Sequence, residues 1–158
     1  MKAFLLALPL AVLTAGSALA ADPIEKQVLV SAVVPTDAFY VEPVGGNWMN
    51  DPQEMTWNPF QETLEPIRKQ LQAKSTIGAI TAHLLSPAQI TSGIEAIELD
   101  VKVGGTSLTT SAVEILSDTQ AAPGVLVDFE VLPKEPTGGY LAGNYQGLVS
   151  MMFETAAP

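Results

Sequence analysis

Ile97-Glu98-Leu99-Asp100-Val101-Lys102-Val103-Gly104-Gly105 is the stretch on which the fold class turns. Ile97, Leu99, Val101 and Val103 alternate with Glu98, Asp100 and Lys102. Successive side chains of a strand point to opposite faces, so this period of two puts the apolar groups on one side and the charged groups on the other. The spacing predicts a half-buried β-strand. Gly104-Gly105 can take the positive φ of a tight hairpin turn, which makes residues 107–110 the expected return strand. The pattern recurs at 125–131, where Val125, Val127, Phe129 and Val131 oppose Leu126, Asp128 and Glu130. One-sided strands of this kind need a second layer to cover them.

Outward from these two strands, residues 28–34, 77–85 and 145–153 read as further β-segments, with Ser86-Pro87 closing the second. Gly45-Gly46-Asn47 and Asn50-Asp51-Pro52 mark a turn-rich passage ahead of Met55-Thr56-Trp57-Asn58-Pro59. Gly permits positive φ, and Pro fixes φ while removing a donor. Residues 60–73 carry Leu64, Ile67 and Leu71 at helix-like spacing, but Pro66 lies among them. An interior proline costs a helix about 3 kcal/mol. This passage is therefore expected to be a loop leading into a strand, with room for a short helical turn. Short strands, frequent turns and no long amphipathic helix predict an all-β sandwich. With no internal repeat or low-complexity tract, one domain is the expected division.

The first twenty residues have the form of a secretory signal peptide: Lys2, an apolar run over 4–13, and Ala18-Leu19-Ala20 as the cleavage pattern. The run is short and broken by Pro9 and Gly16, which makes it a poor membrane span. Residues 21–158 are of single-domain size. The formal net charge of -10 supplies no basic footprint for nucleic acid. Cysteine is absent, so thiol chemistry and disulfides are excluded even in an oxidising compartment. Stability has to come from packing, strand pairing or neighbours.

Catalytic constellations fare poorly. His83 is the single histidine, within a strand-like segment, and reads as structural. Ser107, Ser111 and Ser150 lack a nucleophile-elbow sequence, and Gly104-Gly105 lacks the lysine and helix of a phosphate-binding loop. Glu98 with Asp100, and Asp128 with Glu130, share a face as glycosidase acids might, but that face is the solvated one. Trp48 and Trp57 flank the turn-rich loop; either is a conceivable ligand contact, with Trp57 the expected core anchor. No enzyme activity and no cofactor is expected.

The ends of residues 21–158 hold the most information. In Ile24-Glu25-Lys26-Gln27-Val28-Leu29-Val30-Ser31-Ala32-Val33-Val34-Pro35, the residues Val28, Val30, Ala32 and Val34 are in phase, and Ile24 shares the phase. A strand at a free terminus can pair within its own domain or complete a sheet in another molecule.

This segment resembles the mature N-terminus of major subunits of colonisation factor antigen (CFA/I-type) fimbriae, the alpha class of chaperone–usher pili. Residues 142–153, with Gly143-Asn144-Tyr145-Gln146-Gly147 as lead-in, resemble that family's closing strand. Met55-Thr56-Trp57-Asn58-Pro59, Ser86-Pro87-Ala88-Gln89-Ile90-Thr91 and Val103-Gly104-Gly105-Thr106-Ser107-Leu108 find counterparts in the same order. No one motif is specific, and the ordered set is much stronger.

The resemblance implies an incomplete immunoglobulin-like β-sandwich, residues 36–158, completed by a donor strand from a neighbouring subunit. Residues 21–35 would be the donor-strand extension, with Ile24, Val28, Val30, Ala32 and Val34 as its inserted side chains. Tyr145, Val149, Met151 and Phe153 would line the acceptor groove. Implied partners are identical pilin subunits, a periplasmic chaperone, an outer-membrane usher and a tip adhesin. The implied destination is a cell-surface fimbrium, reached through the periplasm, that serves adhesion. A stalk subunit is expected rather than an adhesin, since the chain has no room for a receptor-binding domain. The competing reading is a self-contained secreted sandwich that binds a sugar or protein near Trp48.

Overall fold

A computed structural model describes residues 38–155; the expected signal peptide over 1–20 and donor extension over 21–35 lie outside that range. In chain order the strands are β1 (Phe39–Pro43), β2 (Trp57–Asn58), β3 (Thr63–Leu64), β4 (Ile67–Ser75), β5 (Ile80–Leu84) and β6 (Gln89–Ser92). They continue with β7 (Glu95–Val103), β8 (Thr106–Ser107), β9 (Val113–Leu116), β10 (Val125–Pro133) and β11 (Met151–Thr155). Among the described residues, a 3-10 turn at Trp48–Asn50 and a four-residue helix α1 (Asp118–Ala121) are the helical elements.

The larger sheet runs β1-β4-β10-β7-β6, with β8 added to β7; the smaller runs β11-β5-β9. All pairings are antiparallel. The alternation in β7 and β10 is realised as expected. Phe129 pairs with Val103, Val131 with Val101, and Val127 with Leu71 of β4. Opposed residues share a face, and these six are all buried. Ile80, Ala82 and Leu84 of β5 and Ile115 and Leu116 of β9 meet them from the smaller sheet to form one core. The result is the antiparallel β-sandwich that the short alternating segments called for.

Polar alternates occupy the outer face of the larger sheet. Arg68 Nε donates to Glu130 Oε1 at 2.9 Å, Gln70 Nε2 to Asp128 Oδ1 at 3.2 Å, and Lys134 Nζ to Glu98 Oε2 at 3.4 Å. The carboxylate pairs of β7 and β10 are thus solvated and partnered. At the β7–β8 hairpin, Gly104 (φ 58°) and Gly105 (φ 80°) take the positive φ that the turn requires.

Several expectations need correction. The strand read over 77–85 is Ile80–Leu84, and the return strand after the diglycine turn is Thr106–Ser107. Pro66 does exclude a helix: β4 begins one residue later, and the residues before it form the β2–β3 hairpin, where Trp57 pairs with Leu64. The spacing of Leu64, Ile67 and Leu71 comes from two strands of different pairing.

The tryptophans exchange roles. Trp48 is 9% exposed, with its ring centroid 5.3 Å from that of Phe129, whereas Trp57 is 44% exposed and meets only the edge of Tyr140 at 5.6 Å. Asp51 N and Gln53 Nε2 both donate to Trp48 O, at 3.2 and 2.9 Å, which folds the turn-rich loop so that its indole plugs the sandwich. Lys69 Nζ sits 5.9 Å from that ring, a cation–π contact at the rim of the core.

Candidate functional site

β11 ends the smaller sheet. Its inner neighbour is β5, in the register Met151–Leu84, Phe153–Ala82 and Thr155–Ile80, and Leu85 N extends the ladder by donating to Ser150 O at 2.9 Å. Among the described residues no strand pairs with its other side. An unpaired strand edge presents a row of N–H and C=O groups that can template a further strand.

The side chains along this edge are unusual in their burial. Val149, Met151 and Phe153 are in phase, pack against the core and stay half-buried, while Met152 and Glu154 point outward. At the other end of the same sheet, Ile115 and Leu116 of β9 are buried. β1, an end strand of the larger sheet, repeats the half-buried pattern: Phe39 and Val41 lie opposite Ser75 and Ala73 of β4. The core is therefore covered at Ile115 and Leu116 of β9, half-covered at Val113 where that strand begins, and left half-covered along β11 and β1.

The C-terminal end of β11 is tied down. Thr155 Oγ1 donates to Ala79 O at 3.1 Å and lies 2.7 Å from Ser75 Oγ. With its own proton used on Ala79, Thr155 accepts from Ser75, which satisfies that buried hydroxyl.

The final strand had been expected over 145–153, but it begins only at Met151. The preceding segment serves the other sheet: Gln146 N donates to Thr91 O at 3.0 Å, and Thr91 N to Gln146 O at 2.9 Å, covering part of the β6 edge. This gives the glycine-rich lead-in a physical role. A Cβ on Gly147 would run into the Gln89 carbonyl oxygen, and one on Gly143 would stand 2.7 Å from Ser92 Oγ. Tyr145 Oη donates to Leu141 O at 3.1 Å, closing the turn ahead of the crossing. Glycine is needed where the chain presses on β6.

Of the expected groove residues, Val149, Met151 and Phe153 come together along one edge, and Tyr145 sits in the lead-in outside β11. Ile24, Val28, Val30, Ala32 and Val34 lie outside the described residues. Phe39 and Val41 were not anticipated. The signal was the apolar run Phe39-Tyr40-Val41 ahead of Pro43, between the segment over 28–34 and the turn-rich passage from Gly45.

Nothing in the described residues assembles the rival chemistry. His83 lies in β5 with Nδ1 3.6 Å from Glu154 Oε2, and no second histidine can join it. Ser107 Oγ donates to Asp100 Oδ2 at 3.2 Å on the outer face. Among the described residues no three His, Asp or Glu side chains group to hold a metal. One surface depression, near 340 Å³, is bordered by Ser75, Ile77 and Asp118; another, near 290 Å³, by Leu99, Leu108 and Glu98. Each contains a single carboxylate, so neither brings an acid pair together. Burial of Trp48 also removes the platform on which the ligand-binding alternative rested.

Comparison with known proteins places this architecture. The solved CooA pilin subunit from enterotoxigenic Escherichia coli is similar in fold, with a TM-score of 0.63 at 14% identity, over 75% of this chain and 88% of that one. Among curated proteins, none matches this chain at a significant level. Residues 24–154 match the family model of the CS1 type fimbrial major subunit. A cysteine-free antiparallel sandwich with half-covered edges, matched over residues 24–154, belongs to the CS1 type fimbrial major subunit family: it is a structural pilin that polymerises with other pilin subunits into a cell-surface fimbrium.

Proposed function

We propose that the subunits join by donor-strand exchange, with residues 21–35 of one copy laid along the free edge of β11 in the next. The observation that carries this reading is the edge itself: a strand with no partner on one side among the described residues, whose inward side chains, with Val149 just ahead of Met151 and Phe153, reach the core and are only half-buried. An added strand would supply main-chain hydrogen bonds to β11, and its alternate side chains would complete the burial. Ile24, Val28, Val30, Ala32 and Val34 have the phase and the apolar character for that task. Each valine covered contributes roughly 1.5 to 3 kcal/mol before ordering costs, so a few of them make a durable joint without a disulfide.

The same edge accounts for the remaining partners. Before joining, half-covered Met and Phe side chains beside an open strand are an aggregation hazard. A periplasmic chaperone would cap the edge, and an outer-membrane usher would exchange the cap for the incoming extension. A tip adhesin would end the fibre. Export through residues 1–20 supplies the route.

The test deletes residues 22–35 and then restores them through a flexible linker at the C-terminus of the same chain. The deleted form is expected to be unstable, and the fused form a stable monomer that does not polymerise. A deleted chain as stable as the intact one would sink donor-strand exchange. Val30→Asp in the full chain refines the register: it should block joining while chaperone capture continues, and normal fibres from it would move the donor register elsewhere.

A further inference from the structure

One lysine breaks the alternation of the larger sheet. Ile67, Leu71 and Ala73 are inward residues of β4, and Lys69 stands in phase with them, half-buried and opposite Phe129. A charge on the inward face costs desolvation unless something pairs with it. Arg68, Lys102 and Lys134 each have a carboxylate partner, at 2.9, 3.6 and 3.4 Å. Among the described residues Lys69 has none. Lys74 also lacks one, but it lies in the outward phase of Arg68. What Lys69 does meet is the Trp48 ring, 5.9 Å from its ammonium. Trp48 adds a second unmatched group: its indole Nε1 is buried and has no acceptor among the described residues. A single contact thus holds two donors and no acceptor. A carboxylate supplies what both lack.

We infer that Lys69 and Trp48 form a carboxylate seat for Asp37 of the incoming copy, and that this pair sets the register of the donor strand. The inference rests on the donor-strand reading above. Position selects the acid. β1 covers β4 only as far as Leu71, which pairs with Pro43, so Lys69 lies past the end of β1. Ser75 ends β4 about 20 Å further on, at the opposite pole of the sandwich. Residues 21–37 run into β1 at that far pole, where Thr76 N donates to Ala38 O at 2.8 Å. A head-to-tail step, repeated, keeps every copy in one orientation along the fibre. The extension that leaves one copy at its Ser75 pole therefore enters the next at its Lys69 pole. That extension carries three acids, Asp22, Glu25 and Asp37. Asp22 and Glu25 precede the donor valines and travel to the far end of the groove. Asp37 follows Val34 after Pro35 and Thr36, a reach of about 10 Å, and stays at the entry. Burial against the indole lowers the local dielectric, so an ion pair there is stronger than one on the solvated face. A slip of two residues would carry Asp37 about 7 Å along the strand and break the pair.

The experiment exchanges the two charges in full chains assembled by cells. Joining is read as the ladder of multimers on denaturing gels, and its strength as the temperature at which the ladder falls to monomer. Lys69→Glu and Asp37→Lys are each expected to lose the long multimers. The double variant should regain them, because opposite charges meet again between copies. Single variants with ladders of wild-type length and heat resistance would overturn the inference. So would a double variant no better than the worse single one while its subunit is folded. Rescue of Lys69→Glu by Asp22→Lys or Glu25→Lys, in place of Asp37→Lys, also overturns it, since the extension would then enter from the other pole. Lys69→Met guards against a folding defect: it keeps the stem against Trp48 and removes the charge. It should weaken the ladder less than Lys69→Glu does, and wild-type heat resistance from it counts against the pair. Chains lacking residues 22–35 test the joining reading separately, since they keep Asp37. A ladder that persists in them ends strand exchange; a ladder lost there, with a failed charge exchange, ends only the pairing of Lys69 with Asp37.

Discussion

The two end strands of the smaller sheet make an instructive pair. β9 and β11 flank the same central strand, and each offers apolar residues to the same core, yet Ile115 and Leu116 are buried while Met151 and Phe153 are half-covered. Sheet position alone does not explain this, because both strands are terminal. The difference lies in what the rest of the described chain places beside them. The β9 side is closed by its own sandwich: Ile115 O and the Val127 side chain both come within 4 Å of a Cβ built on Gly104. Along β11 the chain arrives from β6, and the strand closes with Thr155 bonded back to Ser75 and Ala79. A structural subunit can therefore bury its apolar residues at one edge, at Ile115 and Leu116, and leave them half-covered at another.

Substitutions can break or sharpen this contrast. Phe153→Ala should cost about 3–5 kcal/mol when residues 22–35 are fused at the C-terminus and cover the edge, and roughly half that in the full chain without the fusion, by urea unfolding. Equal losses in the two forms would mean that the donor never covers Phe153. Ile115→Ala on the sealed side should lose about 2–5 kcal/mol, and by the same amount in both forms. A dependence on the fusion would abolish the distinction between the edges. Gly147→Ala forces the lead-in off the Gln89 carbonyl and should destabilise by about 1–3 kcal/mol, as overpacking does. Faster hydrogen exchange at the Thr91 and Gln146 amides, which bond each other across this contact, would report the loss locally. Arg68→Ala is the control: the 2.9 Å pair with Glu130 is on the solvated face, and its loss should stay under about 1 kcal/mol. A larger value would mean that the polar face contributes to stability as the edges do.

Much of the sandwich was legible in the order of residues. The faces of β7 and β10 follow from the period of two, because a one-residue slip would turn every valine to water. Pro66 marked the start of β4, since a missing N–H and a fixed φ are local properties that no tertiary context removes. The three apolar residues of the β11 edge were also readable, through the same alternation. The lead-in was not: Tyr145 shares their phase, but phase continues through a segment whether or not the chain stays in one sheet. Leaving β6 for β5 between Gln146 and Ser150 is a choice made by backbone pairing, and alternation carries no record of it.

The sequence by itself determined the class of the protein: an exported-type, cysteine-free, acidic chain of alternating strands whose ordered motifs resemble fimbrial subunits. Those properties are local or compositional, so they survive without coordinates. Only the tertiary structure decided which tryptophan closes the core, where the last strand begins, and which edges are left half-covered. Trp48 is buried because its loop folds over Phe129, and Trp57 is exposed because its hairpin stands apart. Burial is a property of what lies opposite a side chain, and for loops and sheet edges the neighbours are distant in sequence.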